Sequence, residues 1–333
     1  MSEYKGIKGY TVQKIGSDPT PADTLGQLFY NSADNEFHIS AAGSGSWASG
    51  GNLNASRAGW PGGMGTTTAG AVVGGMTPPD VPSALVEEYN GTCWSEENDR
   101  PVAGRFNWTC GTVAAGLTAT GGLQSAPWAI NNVDEYDGTS WAAGGNYPAG
   151  FYYGNGCGTQ TAALGCQGFQ AAVGYRDETF EYDGSSWAEA GDYPGPLGLG
   201  GTSGIQTSAM RIGGTPSPQG SKCNTYDGSS WAASPDLNVP RQQNGAAPNG
   251  TITATLAVGG APNANPPVTV GRCEQWDGTS WAAVTQLTQG RSKVGSIGTN
   301  ESYLAVGGDQ GSPNLATELW DNSPIATKTI TVS

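Results

Sequence analysis

Few side chains in this 333-residue chain could do chemistry. It has one histidine, His38. Histidine is the commonest general base and metal ligand, so any Ser-His-Asp or Cys-His nucleophile would have to use that residue. It stands in an N-terminal strand outside the repeats described below, where a half-buried structural role is expected. Six cysteines are present without a CxxC or a Cys/His cluster, so zinc is not indicated. Carboxylates are better placed. Glu87-Glu88, Asp134-Glu135, Asp177-Glu178 and Glu181 all stand shortly before an aromatic residue of a turn, and paired carboxylates are what glycoside hydrolysis uses. They read equally well as acidic residues on solvated strand edges. Asp137, Asp183, Asp227 and Asp277 each precede a glycine, and a turn role explains them; calcium would need six or more oxygens from one site. No catalytic, cofactor-binding or metal residue is assigned, and the chain is expected not to be an enzyme.

These residues sit in a repeat. Tyr136-Asp137-Gly138-Thr139-Ser140-Trp141 recurs as Tyr182–Trp187, Tyr226–Trp231 and Trp276–Trp281, with a variant at Tyr89–Trp94 and partial copies at Ser44–Trp47 and Trp320–Ser323. The period is roughly 45 residues, which indicates a propeller or a solenoid. Asp-Gly between two aromatic residues is a hairpin signal, and the aromatics should face each other across it. Further on, each unit carries a small or apolar run ending in paired small residues. Examples are Val72-Val73-Gly74-Gly75, Arg211-Ile212-Gly213-Gly214 and Leu304-Ala305-Val306-Gly307-Gly308, with Gly121-Gly122 in the second unit and Leu164-Gly165-Cys166 in the departing third. One more short strand leads to the next turn, so each unit reads as four short strands.

An apolar run ending in Gly-Gly, followed by Tyr and Trp at this period, resembles the kelch repeat. Six units from about Trp47 to Trp320 fit. The resemblance implies an all-β fold: a six-bladed, kelch-like β-propeller with four-stranded blades over residues 41–333, preceded by a β-hairpin extension at 1–40. A β-solenoid or low-complexity array is the competing architecture. The related galactose-oxidase-like enzymes use a copper site with more than one histidine, which one His38 cannot supply. In kelch-like propellers the segment opening each blade enters the innermost strand near the axis. Here it carries Phe106-Asn107-Trp108 and Phe151-Tyr152-Tyr153, while the equivalent segments hold Arg57, Arg241 and Arg291. The candidate binding residues are therefore Phe106, Trp108, Phe151, Tyr152 and Tyr153 as an aromatic sector, and Arg57, Arg241 and Arg291 as a basic sector, on one mouth of the ring. Aromatics with arginine are what interfaces enrich; the alternative is that the same residues pack between blades.

The formal net charge is −14, with 14 Lys and Arg, which argues against nucleic acid or an anionic membrane as partner. No window is apolar enough for a membrane-spanning helix, and the start lacks the apolar core of a signal peptide, so synthesis without export is expected. Cys110 and Cys157, like Cys223 and Cys273, fall at equivalent places in neighbouring units; equivalent positions lie too far apart for disulfides. In the first 40 residues, Tyr10–Ile15 reads as a strand, Ser17–Asp23 as a turn or linker, and Gly26–Ser32 with Glu36–Ile39 as a hairpin. The Gly-Gln-aromatic-Tyr-Asn-Ser stretch resembles a leader of tailed-phage structural proteins. That resemblance implies a virion structural or accessory protein, a fibre, spike or head or neck decoration, made in the host cytoplasm. Residues 1–40 would hold other virion proteins, and the propeller would display a face for a host glycan or receptor; a homo-oligomer stays open. Two other functions stay open too, an intracellular kelch-type interaction module and a carbohydrate-active enzyme using paired carboxylates. No cofactor is expected. The final strand, Ala326–Ser333, and the strand at Trp47 both remain available to close the ring.

Overall fold

The computed structural model describes residues 13–16, 28–33, 35–42, 45–125, 127–216, 219–262, 269–310, 314–322 and 325–329. The chain divides into two compact units, residues 47–321 on one side and residues 1–46 with 322–333 on the other.

The larger unit is built from four-stranded antiparallel sheets, six among the described residues. The first comprises Gly62–Thr66, Ala69–Val73, Val86–Tyr89 and Trp94–Glu97. The second comprises Trp108–Thr112, Ala115–Gly122, Ala129–Tyr136 and Trp141–Ala143, and the third Asn155–Thr159, Ala162–Gln170, Gly174–Tyr182 and Trp187–Glu189. Gly201–Ile205, Ser208–Ile212, Cys223–Tyr226 and Trp231–Ser234 make the fourth; Gly245–Ala246, Thr255–Val258, Cys273–Trp276 and Trp281–Val284 make the fifth. The sixth takes Gly295–Gly298, Ser302–Val306 and Asn314–Asp321 from the C-terminal end and its outermost strand, Ser46–Arg57, from the N-terminal end. Of the two strands open to that role, the one at Trp47 fills it.

The turn repeat makes the outer hairpin of each sheet. Tyr136 pairs with Trp141 in register and the rings stack with centroids 4.6 Å apart. Tyr89 with Trp94, Tyr182 with Trp187, Tyr226 with Trp231 and Trp276 with Trp281 repeat the arrangement. Trp47 stands 5.3 Å from Trp320 and completes the series across the two chain ends. In the turn, Asp137 Oδ1 accepts the backbone N–H groups of Thr139 and Ser140 at 2.8 and 2.7 Å, fixing the geometry that the following glycine permits.

The paired small residues do a different job. Both members of each pair have positive φ, which is the reason glycine dominates there. In the second and third units the pair is Thr120-Gly121 and Gln167-Gly168, not the Gly121-Gly122 and Leu164-Gly165-Cys166 expected from spacing; the left-handed backbone, not residue type, defines the position. The N–H of each second member reaches the segment that leads into the next sheet. Gly75 donates to Gly104 O (2.9 Å), Gly121 to Phe151 O (3.0 Å), Gly168 to Leu197 O (3.2 Å), Gly214 to Arg241 O (3.0 Å), Gly260 to Arg291 O (2.9 Å) and Gly308 to Arg57 O (2.9 Å). The sixth sheet packs on the first through a core cluster of Leu53, Ile297, Leu304 and Val306 with Val72 and Tyr89, and the six form a closed cycle. The hydrophobic core is divided into clusters that each join neighbouring sheets, such as Trp108, Leu117 and Val133 with Tyr147 and Tyr182. All six cysteines are free thiols.

In the smaller unit, Leu28–Asn31 and Glu36–Ala42 form the expected hairpin. Gln13–Ile15 adds to it in parallel, and the chain's last strand, Ile325–Thr329, pairs with Glu36–Ala42. His38 is buried on this sheet, 5.8 Å from the ring of Phe29. Residues 10–12 and the stretch read as a linker, 17–23, lie outside the described residues.

Candidate functional site

One end of the six-sheet cycle carries a second repeated distortion. Just before each innermost strand a residue other than glycine adopts left-handed backbone geometry: Trp60 (φ 51°), Phe106 (59°), Tyr153 (63°), Leu199 (61°), Gln243 (61°) and Lys293 (55°). Such a conformation costs on the order of 1 kcal/mol each and persists only where surroundings enforce it. Here backbone hydrogen bonds link them. The N–H of Lys293 donates to Gln243 O, that of Gln243 to Leu199 O, and that of Leu199 to Tyr153 O. The side chains that result are an aromatic and apolar group from sheets one to four and a polar pair from sheets five and six.

A central cavity of about 560 Å³, counting its open mouth, lies against these residues. Trp60, Phe106, Tyr153 and Leu199 line it, with Thr109, Asn155, Thr202 and Ser296 below them. A second cavity, about 370 Å³ counting its open mouth, adjoins it and is lined by Arg105, Phe106, Leu123, Trp128, Tyr152 and Tyr153. The rings form a connected arc. Phe106 and Tyr153 have centroids 4.5 Å apart, Tyr152 and Tyr153 4.7 Å, Trp60 and Tyr153 6.1 Å, and Tyr152 and Phe169 5.2 Å. Burial raises the phenols of Tyr152 and Tyr153, so both remain neutral hydrogen-bonding groups.

The residues expected from sequence separate into two sets. Phe106, Tyr152 and Tyr153 meet at the cavities. Phe151 is core, packed on Tyr147, and Trp108 wedges between the second and third sheets against Tyr147 and Trp187 while also lining the central cavity. The basic sector does not exist as a surface. Arg57, Arg241 and Arg291 are at most 1 % exposed, and each guanidinium is ion-paired, with Glu87, Glu274 and Glu318 respectively. The Nη1 of each donates to backbone carbonyls, as Arg57 Nη1 does to Gly74 O and Leu85 O at 3.0 and 2.6 Å, while the Nε of each is enclosed without an acceptor. A buried charge is tolerable only when paired and hydrogen-bonded, so these arginines lock loops to sheets and cannot face a ligand.

The carboxylates, Asp177 apart, are similarly engaged, and not on solvated edges. Glu87, Asp134, Glu274 and Glu318 are buried; Asp134 holds Arg100 at 2.7 Å. Glu88 accepts the hydroxyl of Tyr136 at 2.9 Å, Glu135 that of Tyr182 at 2.7 Å, and Glu181 that of Tyr226 at 2.8 Å, each across to the next sheet. Burial raises Glu88 despite that hydrogen bond. Glu178 pairs with Arg176. Burial also pushes the Cys223 thiol up to about 12 and that of Cys273 to about 11, so neither is a thiolate. Among the described residues, no three His, Cys, Asp or Glu side chains come together as a metal site would require.

The closed cycle of four-stranded sheets has a counterpart among solved structures. The chain is similar to the structure of YjhT, with a TM-score of 0.66 over 83 % of this chain and 99 % of that one. The fold is of propeller type. At 13 % identity the likeness extends to architecture alone. A scan against protein-family models found no match, and no curated protein matches in sequence.

The propeller end bearing the left-handed residues includes several that spacing did not single out: Trp60, Leu199, Gln243, Lys293, Arg105 and Trp128. A signal was available. Trp60 and Leu199, like Phe106 and Tyr153, stand shortly before runs of small residues such as Pro61-Gly62-Gly63 and Gly200-Gly201, and aligning the units on those runs places all six at one position.

Proposed function

We propose that the chain is a non-enzymatic binding protein, a six-bladed, kelch-like β-propeller whose mouth holds a saccharide. The observation that carries the reading is the aromatic arc of Trp60, Phe106 and Tyr153, held in left-handed geometry, with Tyr152 beside it, next to two cavities. Rigid aromatic faces with a few fixed polar groups are the means by which a preformed site takes a ligand with an apolar face and hydroxyl edges. The acids named as candidates for hydrolysis, Asp177 apart, are committed to arginines and tyrosines, which favours binding over catalysis. We further propose that the protein is a virion component of a tailed phage, made in the host cytoplasm, attached to other virion proteins through residues 1–40 and presenting the mouth to a host glycan. The N-terminal hairpin supports this second part, since its Gly26–Ser32 stretch is the one that resembles phage leaders.

A glycan array probed with the purified chain tests the first part. Binding is expected, and Tyr153→Ala and Trp60→Ala should each weaken it by about tenfold or more, in line with ~1–3 kcal/mol for an aromatic contact at a binding centre. No bound glycan, or binding indifferent to both changes, would refute it. Mass spectrometry of purified virions tests the second: the chain should be present in fixed copy number.

A further inference from the structure

We infer that Arg105 makes this mouth selective for acidic saccharides, glycans whose ring carries a carboxylate, with a uronic acid as the simplest case. The inference rests on the proposed saccharide-binding reading of the same cavities and adds the charge of the ligand.

Arg105 differs from the other buried or half-buried arginines. Arg57, Arg100, Arg176, Arg241 and Arg291 each hold a carboxylate, and Arg211 donates from Nε to Gln167 and from Nη1 to three backbone carbonyls. Arg105 has no carboxylate partner among the described residues. Its Nη1 lies 3.3 Å from Met76 Sδ and its Nη2 reaches Leu123 O only at 3.5 Å, so its terminal nitrogens meet only weak acceptors; its Nε, like those of Arg57, Arg241 and Arg291, is enclosed without an acceptor. Its charge rests over the Phe106 ring, 5.1 Å from the centroid, on the wall of the second cavity. A half-buried guanidinium with poor acceptors is costly, and a planar carboxylate would satisfy two of its donors at once. The same cavity supplies ring faces from Tyr152, Tyr153 and Trp128, the last 49 % exposed. A pyranose bearing a carboxylate presents both features together: C–H groups for an aromatic face and, one bond from the ring, an anion for the guanidinium. The long-range field cannot provide this preference, because a chain of net charge −14 repels anions. It must come from the one local cation.

The test is calorimetric titration of the full chain with trigalacturonate and with its methyl ester, which keeps the rings and removes the charge. Wild type should bind the free acid about tenfold more tightly or better, as a charge-assisted hydrogen-bonded pair predicts. Arg105→Gln should bring the two affinities together, and Arg105→Lys should restore part of the difference. If Arg105→Gln fails to fold, the wild-type comparison still decides: equal affinity for acid and ester overturns the inference while leaving the saccharide reading intact. Binding of neutral oligosaccharides with none of either galacturonate also overturns it. Absence of binding to any saccharide would remove the underlying reading itself.

Discussion

Four arginines enter the interior together with an acid: Arg57 with Glu87, Arg100 with Asp134, Arg241 with Glu274 and Arg291 with Glu318. Removing one member strands the other without water. Arg241→Ala should therefore cost about 3–5 kcal/mol in urea unfolding. The exposed Lys222–Asp236 pair, at 2.8 Å, should give less than about 1 kcal/mol when either residue is replaced. The turn aspartates set the acid limit. Hydrogen bonds from the backbone N–H groups and hydroxyls two and three residues on hold Asp183 and Asp277 at about 2 each, below the ordinary 3.8, and Asp137 and Asp227 are shifted the same way. A folded value below the unfolded one stabilises fully above pH ~4, and that contribution is lost as pH falls through about 2. Melting temperature should drop across that window, and Asp277→Ala should remove part of the drop; a pH-independent melt between 4 and 2 would contradict the assignment.

At the level of the sheet, side chains at equivalent positions change together. Two residues before the turn aromatic stand Glu87, Asp134, Phe180, Asn224, Glu274 and Glu318. Each acid faces an arginine. Asn224 instead accepts the Tyr193 hydroxyl at 2.7 Å, and Phe180 packs edge-on against Tyr147 at 5.2 Å. The triple substitution Leu237→Tyr, Arg241→Leu and Glu274→Asn copies Tyr193, Leu197 and Asn224 into the fifth sheet. It should recover a measurable part of the stability that Arg241→Ala loses, whereas Arg241→Leu alone should not. Trp281, buried and bonded through Nε1 to Pro235 O at 3.1 Å, should cost ~3–5 kcal/mol on replacement by alanine. The hairpins were legible in the sequence because Asp-Gly between aromatics dictates local geometry. The destination of Arg57, Arg241 and Arg291 was not, because spacing gives a residue's place along a blade but not which acid on the neighbouring strand will meet it. The mouth was legible in half, through Phe106, Tyr152 and Tyr153; Trp60 could have been found by aligning the units on their small-residue runs, whereas nothing in the type or spacing of Trp128 and Arg105 announces their place there.

For the larger unit as a whole, stability depends on its closing strand. Ser46–Arg57 supplies Trp47, whose Nε1 donates to Thr285 O at 2.9 Å, and Gly51 O, which accepts the Thr317 hydroxyl at 2.6 Å. Residues 47–321 should therefore fold as an isolated fragment, while 58–321, which lacks the strand, should expose the edge of Asn314–Asp321 and aggregate; size-exclusion chromatography and circular dichroism would separate the two outcomes.

The same strand fixes a timetable. It emerges from the ribosome early, but its partner is among the last residues of the unit to be made, so for most of synthesis the first-made strand has nothing to pair with. Contacts separated by so much chain form slowly. Joining these two strands should accordingly be the last step of folding, with an open, unjoined intermediate that lives long enough for a chaperone, or a second copy of the chain, to find it.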